Sequence, residues 1–355
     1  MFIVLGNTDE NTSELWRAAH DGDYNLVVEE VLRGEDPEAT GSTRSCTPLH
    51  VAALRGHDLI VRYLLNTERH SFHGRVLREQ GRVPARRARQ TVDVRDKYNQ
   101  TPLQYAAAGL MSHVVTLLIQ YGAAVSHPGT SVYEPVNLAA KGRFYAKGYE
   151  YVDVDATRLE VVRILLVAGA DTCTGFNWHH GIDNVWHKAI EAQNNTNLLK
   201  LLLEESTTPI PVARNGNTIM HEVAGLRYML SEDGIDIKML EMLVEHGENP
   251  FAKNGFDETP LFFAVRRNKV DTVRYLISLG IGLDADDPML RALYKSSSPE
   301  VWDVIRAGYR APRCDAVIMS HHPRLGERSL LRLLGPKLLQ MVLDETVGDS
   351  ELDRL

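Results

Sequence analysis

The feature that most constrains the fold is a short motif that returns along almost the whole chain. Its fullest copy is Thr47-Pro48-Leu49-His50, which is followed by two alanines and then by Gly56-His57. Aligned on His50, the motif returns at Trp16, Gln104, Asn137, His187, His221, Phe262 and Leu290. Trp16 and His50 are 34 positions apart, as are His187 and His221, and such a fixed period indicates a chain built from stacked repeats.

Each position of the motif has a physical reason. Proline is tolerated in the first turn of a helix, and the threonine before it can accept hydrogen bonds from unpaired helical amides. The histidine at the fourth place, as in His50, His187 and His221, is expected to bond to backbone across a repeat junction. Paired alanines let two helices approach closely, and a glycine such as Gly122 ends the second helix.

A period of 33 or 34 residues that opens with Thr-Pro-Leu-His-x-Ala resembles the ankyrin repeat. The resemblance covers residues 11–312, in about eight repeats. It implies an all-α fold, a solenoid of paired antiparallel helices with finger loops. It also implies a protein-protein interaction scaffold or adaptor, which holds another protein on the concave face formed by the fingers and the first helices.

The spacing of the motif predicts the organisation of the chain. We expect an ankyrin-repeat array over residues 1–312 and a C-terminal helical cap over residues 313–355, covering the apolar face of the last repeat. Longer intervals predict insertions near residues 69–91, 143–156 and 226–236. The cap has an alternative, because Ser329-Leu330 resembles the start of a box that recruits ubiquitin-ligase machinery. Leu334 stands where that box has a cysteine, which counts against it.

The first insertion is a basic segment in an acidic chain. Residues 69–91 carry seven arginines and one acid, whereas the whole chain has a formal net charge of −8. Arginine forms bidentate bonds with carboxylate or phosphate, so Arg86 and Arg87 are candidate contacts to an acidic partner or to the nuclear-import machinery. A solvated loop without a partner is the competing interpretation. So compact a cluster is a weak signal for nucleic acid, which we do not expect as a partner.

Four aromatic residues are predicted at finger tips, one in each of four repeats: Tyr98, Tyr133, Trp178 and Phe256. Aromatic side chains dominate many binding interfaces, so these four are candidate binding residues. The alternative is that each ring packs on its neighbour and stiffens the finger. The 143–156 insertion holds four aromatic residues between Phe144 and Tyr151. We expect them to fold back onto the solenoid, with a partner contact as the alternative.

The chain contains no catalytic motif and no phosphate-binding loop, so the sequence favours a non-enzymatic role and leaves activity open. The alternative function is an accessory protein of a fungal-type biosynthetic pathway, with or without its own activity, because long, insertion-rich ankyrin proteins of this kind resemble those of fungi. No cofactor is expected, and a small-molecule ligand stays open. The spacing of Cys173, His179, His180 and His187 is too poor to predict a metal site.

Three widely separated cysteines predict reduced thiols in an intracellular protein. The sequence has no long apolar run and no basic secretory start, so no membrane contact is expected. The predicted location is the cytoplasm, with the nucleus as the alternative.

Overall fold

The structure, a computed structural model, describes most of the chain outside the termini and the insertions. The described residues are 12–41, 45–66, 92–126, 134–141, 154–173, 184–191, 196–213, 215–226, 234–280 and 298–310. They contain fifteen α-helices and no β-strand, which confirms the all-α prediction.

The helices are numbered here in chain order. The first eight are α1 Glu14–Asp21, α2 Tyr24–Arg33, α3 Pro48–Arg55, α4 Asp58–Asn66, α5 Pro102–Ala108, α6 Ser112–Gln120, α7 Pro135–Lys141 and α8 Val154–Val167. The remaining helices are α9 Val185–Glu191, α10 Asn197–Glu205, α11 Ile219–Ala224, α12 Ile235–His246, α13 Pro260–Arg266, α14 Val270–Ser278 and α15 Pro299–Arg310.

The chain divides into two compact units. The first unit comprises Met1–Ala189 and Glu204–Pro209, and the second comprises Ile190–Leu203 and Ile210–Leu355. In the first unit, α1 packs on α2, α3 on α4, α5 on α6, and α7 on α8. The first helices of successive pairs also pack on one another, as do the second helices. This is the stack of helix pairs that the repeat period predicts.

The second unit repeats this arrangement. Helix α11 packs on α12 and α13 on α14, while α11 contacts α13 and α12 contacts α14. Helix α15 then packs against α14. An ion pair between Lys269 and Asp236, both largely buried, joins the N-terminal turn of α14 to the N-terminal turn of α12.

Local sequence signals set the start of each first helix. Pro48, Pro102 and Pro260 open α3, α5 and α13, as predicted. Thr101 precedes α5 in extended backbone, and its hydroxyl accepts from the amide of Gln104, 3.4 Å away. In return the Gln104 side-chain oxygen accepts from the Thr101 amide at 2.6 Å. These reciprocal bonds satisfy two donors that a helix start would otherwise leave unpaired.

The turn between the two helices of a pair needs a left-handed residue. Gly22 and Gly56 fill this position with φ of 83° and 79°. Leu110 and Asn268 fill the same position at φ of 57° and 56°. Left-handed backbone is unfavourable for a residue with a Cβ atom, and asparagine tolerates it better than leucine. The α5–α6 turn therefore holds a strained leucine where two neighbouring repeats have glycine.

The helices of the first unit approach closely where their residues are small. Ala52, Ala53, Ala106 and Ala107 are fully buried between the stacked first helices. A Cβ atom added to Gly109 would lie 2.5 Å from the carbonyl oxygen of Leu54 on the preceding first helix. Any larger residue at 109 would therefore push α3 and α5 apart.

Two of the three predicted insertions are described in part, at their ends. Helix α8 begins at Val154 and has 14 residues, so the last three residues of the predicted 143–156 insertion are helical and lengthen a second helix. The predicted 226–236 insertion likewise ends inside α12, which begins at Ile235. Residues 69–91, 143–153, 227–233 and the predicted cap over 313–355 lie outside the described residues.

Candidate binding surface

One repeat junction of the first unit is held by a buried histidine. His50 is fully buried, and its Nδ1 accepts from the backbone amide of Thr47 at 3.2 Å. Its Nε2 lies 3.0 Å from the carbonyl oxygen of Gln100, in the next finger. A carbonyl can only accept, so Nε2 carries the proton and the imidazole is neutral. Burial lowers the pKa of His50 to about 4, which keeps the ring in this form.

The same junction recurs with a second histidine and with a tryptophan. In the second unit, His221 accepts from the Thr218 amide at 3.1 Å and donates to the Glu258 carbonyl at 3.0 Å. Burial lowers the pKa of His221 as well. In the first repeat, the indole nitrogen of Trp16 donates to the carbonyl of Cys46 at 3.1 Å. Trp16 therefore replaces the histidine donor, and the expected junction role is confirmed for His50 and His221.

Two other repeats have an amide side chain at the fourth place, and the one at Asn137 bonds across a junction. Gln104 caps its own helix through Thr101. The side-chain oxygen of Asn137 accepts from the backbone amide of Val185, at the start of α9, at 2.8 Å. For His187 the described contact is its amide, which donates to Asn184 at 2.7 Å, so a junction role for its ring stays a prediction.

The finger of residues 92–101 ends in a tight turn built around Asp96. This carboxylate is buried, and its Oδ1 accepts from the amides of Tyr98 and Gln100, both at 2.8 Å. Asn99 takes left-handed backbone, with φ of 64°. An aspartate that bonds to amides two and four residues later fixes a turn more firmly than backbone bonds alone.

A buried chain of hydrogen bonds fixes the same turn to the first helices. The hydroxyl of Tyr105 donates to Asp96 Oδ2 at 2.8 Å. Because that proton is committed, the thiol of Cys46 is the donor in its 2.9 Å contact with the Tyr105 oxygen. Burial raises the pKa of Tyr105 far above its usual value. The finger is thus bonded to α5 and, through Tyr105, to the segment that precedes α3.

The second unit contains the same turn at residues 254–258. The side-chain oxygen of Asn254 accepts from the amides of Phe256 at 2.9 Å and Glu258 at 3.0 Å. Asp257 takes left-handed backbone with φ of 62°, as Asn99 does. Asn254 also donates to Asn217, in the preceding finger, at 2.9 Å. The two turns therefore share the two side-chain-to-amide bonds and the left-handed position.

Both turns place an exposed aromatic ring at the same position, three residues before the threonine that precedes the first helix. Tyr98 is 42% exposed and Phe256 is 62% exposed. A basic residue precedes the turn in each case, Arg95 in the first unit and Lys253 in the second. The ammonium of Lys97 also lies 5.2 Å from the centre of the Tyr98 ring. Both tip aromatics are exposed among the described residues, and their role in binding stays a prediction.

The other predicted binding residues, Tyr133, Trp178, Arg86 and Arg87, lie outside the described residues. The repeat register nevertheless separates the four predicted aromatics. Tyr133 comes directly before Glu134, at the start of α7, and Trp178 comes six positions before Asn184, which caps α9. Only Tyr98 and Phe256 occupy the same place in the repeat, a relation that aligning the threonines at 101 and 259 could have found.

The described residues contain no group of three or more His, Cys, Asp or Glu side chains that could hold a metal ion. Cys173 instead donates to the carbonyl of Pro209 at 3.2 Å, and burial raises the pKa of its thiol. His179 and His180 lie outside the described residues. In the part of the chain with described helices, none is both long and apolar enough to cross a membrane.

Stacked helix pairs, junction histidines and projecting finger turns define a repeat protein of the solenoid class. Residues 15–129 match the family described as ankyrin repeats (3 copies), and residues 236–277 match the family described as ankyrin repeats (many copies). The chain is an ankyrin-repeat protein. Its repeats are therefore a protein-protein interaction module.

Solved structures and a curated relative are similar to this chain. The ankyrin repeat domain of Bcl-3, a unique member of the IkappaB protein family, matches with a TM-score of 0.50 and 20% identity, covering 75% of this chain and 100% of that chain. The human ASB11 ankyrin repeat domain matches with a TM-score of 0.46 and 17% identity, covering 75% of this chain and 97% of its own. Alpha-latrotoxin-Lg1a of Latrodectus geometricus is 28% identical over 260 residues. That match includes 72% of this chain but only 15% of the length of the relative.

Proposed function

We propose that the protein is a scaffold or adaptor that binds another protein through its fingers and first helices. One observation carries the proposal, which is the matched turn that exposes Tyr98 in the first unit and Phe256 in the second. Each unit then contributes one aromatic anchor. The proposal requires only that a partner binds one of the two units.

The rigidity of the turns supports a role in binding. Association costs free energy for every side chain and loop that must be ordered, so a preorganised anchor gives more affinity than a mobile one. Asp96 and Asn254 fix the backbone that carries the two rings. An aromatic ring also has few rotatable bonds and a large apolar surface. Two exposed rings on fixed turns are thus suited to a protein interface.

The charge around the first turn supports an acidic partner. Arg95 and Lys97 are both exposed and lie on either side of Asp96, whose carboxylate is buried and engaged. In the second turn the positive charge of Lys253 is compensated, because its ammonium lies 3.5 Å from the exposed carboxylate of Asp257. We therefore propose that the partner contacts the first unit with an acidic segment.

The experiment is affinity purification of the intact chain with mass spectrometry, followed by titration of the recovered partner against single variants. Tyr98→Ala and Phe256→Ala should each weaken binding by about 2 kcal/mol, which is about 30-fold, if the ring is an anchor. Tyr121→Ala is the matched control, since Tyr121 is 36% exposed but follows the second helix α6.

Helix content should be unchanged in all three variants, because the three side chains are exposed. Equal partner affinity for the tip variants and for the Tyr121 control would refute the proposal. A loss with Tyr98→Ala alone would confine the interface to the first unit.

A further inference from the structure

The first two repeats are joined by a polar cluster at the turn between their helices. His20 lies near the end of α1, and its ring stacks on Trp16 with centroids 5.5 Å apart. Asp21 Oδ1 is 2.7 Å from Nδ1 of His20. Arg55, at the end of α3, places Nη2 at 2.8 Å from Nε2 of the same ring. One imidazole thus lies between a carboxylate and a guanidinium.

The two partners define where the ring carries its proton. A guanidinium can only donate, so Nε2 of His20 must present a lone pair to Arg55. A carboxylate can only accept, so Nδ1 of His20 carries the hydrogen that Asp21 receives. His20 is therefore neutral and in the Nδ1–H tautomer. The junction residues His50 and His221 have the opposite tautomer, with the hydrogen on Nε2.

A further histidine completes the surroundings of His20. Nε2 of His57, at the start of α4, is 3.3 Å from the backbone carbonyl of His20, so it is a donor. Burial is the main cause that lowers the pKa of His57, and the nearby Arg55 acts in the same direction. Among the described residues, the charged or titratable groups in contact with His20 are Asp21 on α1, Arg55 on α3 and His57 in the turn after α3.

Arg55 depends on this contact to an unusual degree. Within the described ranges its guanidinium has no carboxylate partner, and its side-chain hydrogen bond is the one to His20. Its Nε is buried and has no hydrogen-bond partner. Among the described residues, the ring of His20 is thus the side chain that binds the Arg55 guanidinium.

We propose that His20 is a proton-controlled holder of Arg55, so that uptake of one proton from solvent releases the guanidinium. The proton adds to Nε2, which then becomes a donor facing another donor. Two positive charges at a hydrogen-bond distance repel each other, while the positive ring still pairs with Asp21. Arg55 then turns to solvent at the end of a first helix, where its free edge is available to a partner carboxylate. The inference goes beyond the proposed function, because it applies whether or not a partner is bound.

The first test measures the tautomers in the intact chain. With histidines labelled with nitrogen-15, two-bond proton–nitrogen correlation spectra at pH 8 distinguish the two neutral forms. His20 is expected as Nδ1–H and is assigned by the signal missing from His20→Gln. His50 and His221 are expected as Nε2–H and act as internal controls. An Nε2–H form of His20 at pH 8 would overturn the proposal.

The second test measures how the Arg55 contact depends on pH. Arg55→Met removes the guanidinium, and His20→Gln keeps an acceptor for Arg55 but cannot take up a proton. In the wild-type background, Arg55→Met should lower the thermal midpoint at pH 8 and have little effect at pH 5.5. In the His20→Gln background, the same change should lower the midpoint equally at both pH values. Losses that are independent of pH in both backgrounds would contradict the proposal. The tautomer spectra can also be judged on the wild-type chain alone, so that an Nε2–H form for every neutral histidine at pH 8 would overturn the proposal even if a variant failed to fold.

Discussion

Acid should weaken the first unit through the junction residue His50, and the size of the effect follows from its burial. The pKa of His50 is lowered from 6.5 to about 4 in the folded chain. A tenfold change in proton affinity corresponds to about 1.4 kcal/mol. The full pKa difference between the folded and unfolded chain therefore changes the free energy of unfolding by about 3 kcal/mol. Protonation would also make Nδ1 a donor facing the Thr47 amide, which ends that bond.

The sign of the effect follows from the lowered pKa. The stabilising contribution is fully present above pH 6.5, where the ring is neutral in both the folded and the unfolded chain. This contribution is lost as the pH falls from 6.5 toward 4, because in that range the histidine is protonated in the unfolded chain but stays neutral in the folded chain. Between pH 7 and pH 4.5 the loss through His50 should be about 2 kcal/mol.

The assay compares urea unfolding of the intact chain at pH 7 and pH 4.5, followed by circular dichroism. His50→Gln is the informative variant, since Gln104 already occupies the equivalent place in the next repeat and glutamine does not titrate in this range. The variant should lose about 2 kcal/mol less than the wild type between the two pH values. His113→Gln, at an exposed position on α6, should behave as the wild type does. Equal losses for His50→Gln and the wild type would refute the reasoning.

Two further predictions use matched pairs of substitutions and thermal or urea unfolding. Gly34→Ala should cost about 1 kcal/mol, since it introduces only left-handed strain at φ of 97° with no atom within 4 Å of the new Cβ. Gly22→Ala should cost more, because its Cβ would lie 2.6 Å from the ring of His57, and equal costs would show that the ring moves aside freely. Leu117→Ala should cost about 2–5 kcal/mol, since Leu117 is 2% exposed on α6. Leu59→Ala, on α4 and 59% exposed, should cost far less, and similar costs for the two leucines would argue against a buried second-helix face.

The helix pairs could be predicted from the sequence because their signals are local. Pro48, Pro102 and Pro260 begin first helices, and Gly56 ends one, by constraints that act within a few residues of chain. Such signals do not depend on distant contacts. A motif that repeats every 33 or 34 residues is therefore enough to locate the ends of the helices. The junction role of His50 was predictable for the same reason, since the junction recurs with the motif.

The replacement of that histidine in the first repeat was not predictable in the same way. In the sequence, Trp16 is a departure from the motif. In the structure, however, its indole N–H donates to the Cys46 carbonyl, which occupies the same place in the repeat as the Gln100 carbonyl that accepts from His50. The sequence records that a different side chain is present, whereas the shared geometry of donor and acceptor appears only after the repeats are stacked.

The candidate site likewise combines residues that the sequence predicted with contacts that only the structure shows. The sequence selected Tyr98 and Phe256 as tip aromatics, but the buried oxygens of Asp96 and Asn254 that fix their turns emerged from the structure. Exposure of the two rings also depends on whether a neighbouring finger covers them, and sequence spacing leaves both outcomes open. The binding roles predicted for these two aromatics and for Arg86, Arg87, Tyr133 and Trp178 all stay predictions.

The sequence alone determined the repeat, its helix pairs and the class of protein, because these depend on the capping and period of short segments. Only the tertiary structure decided which nitrogen of His20 carries the proton, since Arg55 lies 35 positions away along the chain. The same is true of Cys46 and Tyr105, whose contact spans 59 positions. Hydrogen-bond direction, burial and pKa are properties of an environment, and in a stacked repeat that environment is supplied by the neighbouring repeats.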